Sequence, residues 1–158
     1  MSYQRIATPK IYVDMIQPLL ENGTITGTGE ITGHWNGSGA SATDVIQLFD
    51  NKPSNTVTIG GNGGSTAQYI TIDTNITTDD GLLGENMFVA ILGHNLKTAD
   101  AKFRVQTDDD VAWGGSPNTI QTPTMTNVYN GAIDSAFAVP AADGWSMITF
   151  SQASDNKH

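Results

Sequence analysis

MFVAILGHNLKTADAKFRVQTDDD, residues 87–110, is the stretch whose reading decides the fold. Phe88, Val89, Ala90, Ile91 and Leu92 form a short continuous apolar run, the signature of a strand covered on both faces. Gly93 and Asn95 follow it with residue types that tolerate unusual turn dihedrals. From 101 to 106 the chain alternates: Ala101, Phe103 and Val105 fall on one side, Lys102, Arg104 and Gln106 on the other. That is the period of a half-buried strand. The segment therefore reads as a hairpin, an apolar strand that turns at Gly-His-Asn-Leu and comes back with one face wet.

Working outward, the same pattern recurs at short intervals. Further strands are expected at 56–59, 68–73, 125–129 and 145–150, with glycine-rich turns such as 60–64 and 113–117 between them. No segment from residue 40 onward carries a long helical period, so the class is all-β and the spacing suits an antiparallel sandwich. Before residue 40 the reading changes. Residues 9–22 place Ile11, Met15, Ile16, Leu19 and Leu20 at mostly helical spacing, with Gly23 as a stop and Pro18 as an interruption. This predicts an apolar N-terminal arm with one or two helical turns, which either packs on its own domain or docks on a neighbouring subunit. Residues 23–35 repeat Thr-Ile-Thr-Gly and Glu-Ile-Thr-Gly around a glycine turn, which suggests a second hairpin or a flexible ribbon. Asn36 to Ser41 reads as a linker, so the expected organisation is an arm and hairpin at 1–39 and a β-sandwich domain at 40–158.

Three segments carry a family resemblance. The turn at 91–96 with its amphipathic sequel, residues 45–53 with Phe49-Asp50 before Lys52-Pro53, and residues 143–150 together resemble bacteriophage virion structural proteins with a discoidin-like, galactose-binding-type domain. The resemblance covers roughly residues 40 to 150. It implies a jelly-roll β-sandwich and a non-enzymatic role in attaching, decorating or stabilising a virion, with tail or fibre attachment favoured over capsid decoration. The implied partners are other virion proteins and copies of this chain, and the implied location is the virion, after synthesis in the host cytoplasm. In such jelly rolls more strand sequence follows the 145–150 type of segment, whereas here residues 151–158 are polar. The N-terminal segment or a strand from another subunit is therefore expected to cover an edge there.

Composition narrows the alternatives. At 158 residues the chain is long enough for one real core, and its 15% charged residues fall below the roughly 25% of ordinary soluble domains. Sixteen acidic residues against seven basic ones give a net charge of −9, which repels phosphate backbones and anionic headgroups. Neither nucleic acid nor membrane is an expected partner. The absence of cysteine excludes a disulfide scaffold. No leader-like N-terminus and no apolar run of membrane-spanning length is present in these 158 residues, the pattern of a chain made in the cytosol.

Chemistry-bearing motifs are sparse. His34, His94 and His158 lack metal-ligand spacing, and His94 reads as a turn imidazole that bonds backbone. Asp79-Asp80 and Asp108-Asp109-Asp110 offer oxygen ligands but not the alternating spacing of a calcium loop, so they read as solvated turns. Neither Gly37-Ser38-Gly39 nor Gly115-Ser116-Pro117 sits in a nucleophile elbow, and Glu21, Glu30 and Glu85 lie in loose segments. No catalytic residue, cofactor or metal is expected. Interaction is expected instead from the arm residues Ile11, Tyr12, Met15, Ile16 and Leu19, and from Trp35 and Trp113 in glycine-rich loops. Trp145 opens an apolar strand and is expected in the core. The competing function is a carbohydrate-binding, receptor-recognition module that stacks a host-surface glycan on Trp113.

Overall fold

The computed structural model describes residues 14, 16–26, 30–35, 38–39, 45–50, 52, 54–58, 68–74, 87–108 and 120–151. Over these the chain is mostly antiparallel strand with one short α-helix, consistent with an all-β sandwich. Two apolar clusters organise it.

The first cluster belongs to the N-terminal half. Helix α1, Ile16–Glu21, spans less than two turns. Pro18 lies in its first turn, where a backbone N–H has no helical acceptor to lose, so it does not kink the helix. Asp14 Oδ1 accepts from Ile16 N at 3.0 Å at the start. At the end Gly23 adopts φ +76° and donates to Leu20 O, while Ile25 N reaches back to Leu19 O, a Schellman-like stop of the kind Gly23 promised. The chain then enters β1, Ile31–Trp35, which pairs antiparallel with the two-residue β2, Ser38–Gly39, and with β3, Tyr69–Ile72. Ile25, Ile31 and Val45 are buried, and Ile16, Leu19, Leu20, Ile46, Phe49, Val57 and Ile72 pack on them.

Two expectations are corrected here. Thr24, Ile25 and Thr26 form no strand, so β1 pairs with Tyr69–Ile72 rather than closing a hairpin with the preceding repeat. Ile25 is buried as a core plug at the exit of α1 instead. Residues 55–58 are not strand either. The boundary expected at 39/40 has a ladder across it, since β1 lies before it and β3 after it.

The second cluster belongs to the C-terminal half. Its sheet has the order β4 (Met87–His94), β8 (Gly144–Ser151), β5 (Thr124–Tyr129), with β8 in the centre. The hairpin β6 (Gly131–Asp134) and β7 (Phe137–Pro140) is joined to β5 by Asn130 alone, which takes φ +58° to turn the corner. Ala138, Ile148 and Phe150 are buried, with Met87, Val89, Phe103, Val105, Met125 and Val128 against them. Register explains this set. Met87 and Val89 of β4 stand opposite Phe150 and Ile148 of β8, which in turn face Met125 and Val128 of β5, so all six fall on one face of the sheet.

The reading of 87–110 as a hairpin is overturned. β4 pairs with β8, not with the returning segment. Residues 101–105 do alternate in burial, but among the described residues 101–107 pair only at two isolated bridges, Phe103 with Ala138 and Thr107 with Gln121. Nor does the segment 145–150 leave an edge to be covered from elsewhere, because β4 and β5 flank it on both sides.

Candidate functional site

The far ends of β4 and β8 meet at the turn that follows residue 94. Leu92 pairs with Trp145 and His94 with Gly144, so Gly93 is an extra residue between them, a bulge at φ +67°. The bulge changes which way the next side chain points. Ile91 lies opposite the buried Ser146, Leu92 opposite the outward Trp145, and after the bulge His94 returns to the Ser146 side. Its Nε2 lies 3.0 Å from Ser146 Oγ, and its Nδ1 accepts from Leu96 N at 3.3 Å. Because Leu96 N–H can only donate, Nδ1 is the acceptor and Nε2 carries the hydrogen given to Ser146.

Residues 95–101 wind into a tight turn in which Ala99 N bonds Asn95 O, Asp100 N bonds Lys97 O and Ala101 N bonds Leu96 O, with Asp100 at φ +50°. Asp143 fastens the turn to the start of β8. Its carboxylate accepts from Thr98 N at 3.0 Å and from Thr98 Oγ1. The hydroxyl bond to Thr98 foremost, then the backbone bond, hold the Asp143 carboxyl below its usual value, and the charge of His94 adds to this.

A serine, a histidine and an aspartate thus converge, but not as a nucleophile and its base. Nε2 donates to the serine where a general base would accept from it, Asp143 is engaged by Thr98 and not by Nδ1, and Ser146 is fully buried. The arrangement is a clamp.

Beside the clamp lies the surface that sequence reasoning missed. Leu92 is 77% exposed and Trp145 48%, and they are direct cross-strand neighbours. Alternation places Ala90, Met147, Phe88 and Tyr129 on the same outer face, which is closed at the other end, where the buried Thr149 has its Oγ1 2.9 Å from Thr126 Oγ1. Trp145 is held in place through its backbone, whose carbonyl accepts from Asn130 Nδ2 at 2.6 Å. The expectation that Trp145 is a core residue is corrected: Ser146, Ile148 and Phe150 take the inner positions, so parity sends the indole outward. That parity was readable in the sequence.

The expected interaction residues fare unevenly. Ile16 and Leu19 pack on the Ile25–Ile31–Val45 cluster of their own chain. Trp35 ends β1, where its backbone pairs with Ser38. Ile11, Tyr12, Met15 and Trp113 lie outside the described residues. So do Asp79, Asp80, Asp109 and Asp110, while Asp108 is buried and has interaction partners there. Among the described residues no three His, Cys, Asp or Glu groups gather as a metal site, and no helix is long and apolar enough to cross a membrane.

A second surface pairs charge with an aromatic ring. Lys102 Nζ lies 4.4 Å and the Arg104 guanidinium 5.1 Å from the centre of the Phe137 ring, and Lys102 also reaches Asp134 at 3.6 Å. These contacts lay the 101–106 segment over the β6–β7 hairpin, and their exposure makes each a small contribution.

Comparison with protein-family models, curated proteins and solved structures gave no match.

Proposed function

We propose that this chain is a non-enzymatic structural protein of a bacteriophage virion, docked on another virion protein through the outer face of the β4–β8–β5 sheet. The observation that carries the docking surface is the exposed cross-strand pair Leu92 and Trp145, two large apolar side chains held in water by a rigid ladder. The virion assignment rests on the family resemblance described above. Two of its three segments, 91–96 and 144–150, adjoin as partners in that ladder although about fifty residues separate them in sequence. Tail or fibre attachment is preferred to capsid decoration, and copies of the chain are further partners.

Mass spectrometry of purified particles tests the reading. The chain is expected in particles at a fixed copy number, and the double variant Leu92→Ser/Trp145→Ser is expected to fold yet be lost from them. Absence of the wild-type protein from particles, or catalytic turnover by it, would overturn the proposal.

The half-exposed Trp145 indole also favours a second reading, a carbohydrate-binding module for a host-surface glycan. Glycan-array binding that disappears in Trp145→Ala or Trp113→Ala, with particle incorporation unaffected, would select it over the first.

A further inference from the structure

Four turns among the described residues are closed in the same way, by a side-chain acceptor that takes the backbone N–H two residues on. They are Asp14 with Ile16, Asn22 with Thr24, Asp50 with Lys52, and His94 with Leu96. In the first three the acceptor is an oxygen. In the fourth it is an imidazole nitrogen, an acceptor that a single proton abolishes.

We infer that His94 is a proton-operated latch, which holds the 95–101 turn closed at Leu96 while Nδ1 is bare and opens it there when that nitrogen is protonated. The proton comes from solvent and bonds to Nδ1. Leu96 N–H and the new Nδ1–H then face each other as two donors across the 3.3 Å that held their hydrogen bond. Nε2 keeps its hydrogen and its contact with Ser146, so the inner half of the clamp survives.

The second fastening does not involve the ring. Among the described residues, the charged groups on the elements that meet the ring are Asp143, before β8, and Lys97 and Asp100, on the turn itself; β8 adds the neutral Ser146. Asp143 is the anion on the other side of the clamp, bound to Thr98 N and Oγ1. The ring nitrogens are directed at Ser146 and Leu96 and not at that carboxylate, so the proton opens the Leu96 fastening while the Thr98 bonds stay in place. The β4–β8 ladder beneath does not depend on either bond. The released segment is the one next to Leu92 and Trp145, so acidification alters the border of the exposed apolar pair and not its backbone.

Amide hydrogen exchange followed by NMR between pH 7.5 and 5.5, corrected for intrinsic pH dependence, tests this together with the imidazole nitrogen shifts of His94. Protection of the Leu96 amide is expected to fall at least tenfold, with the same midpoint as the ring, while Thr98 and Ile148 stay protected. Asp143, held below the ordinary carboxylate range, keeps its charge over this interval, so the change is not its own. In His94→Asn, whose amide oxygen can close the same two-residue turn but cannot take the proton, protection is expected to be independent of pH. Unchanged wild-type protection across the ring titration overturns the latch, as does equal loss in His94→Asn or simultaneous loss at Ile148. If His94→Asn does not fold, the wild-type titration decides alone.

Discussion

The core around Ile25, Ile31 and Val45 and the core around Ala138, Ile148 and Phe150 are closed by different means. The first gathers a helix of less than two turns, a short three-stranded ladder and a single 3-10 turn, Gln47–Phe49. Its connections are fixed locally: Thr26 N and Oγ1 both bond Glu30 Oε2, and Asp50 ties down Lys52 N and Asn55 Nδ2. The second is threaded by the eight-residue β8, paired along its length with strands drawn from about fifty residues before it and twenty before it. Short-range turns order a chain at small entropic cost but anchor little beyond themselves; long-range ladders cost more to close and then hold as a unit. Amides of β8 are accordingly expected to exchange most slowly in the molecule.

The sharpest way to break the comparison is at the centre of the second core. Ile148→Ala removes a fully buried side chain from the middle strand and is expected to cost about 2–5 kcal/mol by chemical denaturation, with protection lost across β4, β5 and β8 together. If exchange in β1 and β3 collapses in step, the two cores form one cooperative unit.

Gly131→Ala tests the corner between sheet and hairpin. A Cβ there would lie 2.5 Å from Val139 O and 2.9 Å from Val128 Cγ1, and the first of these is backbone that cannot swing aside. A loss of about 1–3 kcal/mol is expected from such overpacking. Ordinary stability in this variant would mean that the hairpin moves freely on Asn130.

Acid sharpens the comparison without mutation in the core. Asp50 in the first half and Asp143 in the second are both held below the usual carboxylate value, by the backbone bond from Lys52 and by the Thr98 hydroxyl respectively. As pH falls the unfolded chain takes up these protons first, so each contribution is present above the ordinary carboxylate pKa and is lost as pH drops through the lower folded value. Asp50→Ala and Asp143→Ala are each expected to flatten the acid limb of the stability profile, and local exchange at Asn55 and Thr98 assigns each effect to its half. Both groups lie at the surface, so the effects are small.

Smallest is the expected effect of Leu92→Ser on stability, within about 0.5 kcal/mol by denaturation, since this side chain is 77% exposed. A larger loss would make the outer face part of the core.

How legible this was from sequence depends on what each signal reports. The segments 88–92, 125–129 and 145–150 announced β4, β5 and β8, but the continuous apolar run at 88–92 read as a strand covered on both faces, whereas β4 lies at the sheet's edge with Ala90 and Leu92 exposed on its outer face. Alternation at 101–106 described its burial well up to Val105, yet a period of two reports which side a residue faces and not which strand lies beside it. The β6–β7 hairpin went unseen: its strands have four residues each, its turn places Ser135 rather than glycine at φ +56°, and Pro140 ends a strand. Trp145 was misjudged by residue type, where parity with Ser146 and Ile148 carried the answer. The role of His94 as a backbone-bonding turn residue was readable, but its contact with Ser146 depends on a bulge that only the pairing reveals.

That bulge is one residue of added length. Were Gly93 itself paired with Gly144, in a ladder with no bulge, the imidazole would fall on the outer face and leave Ser146 without its donor. The histidine clamp therefore depends on the ladder absorbing one residue at Gly93, while the side chains of residues 87–92 keep their faces in either register.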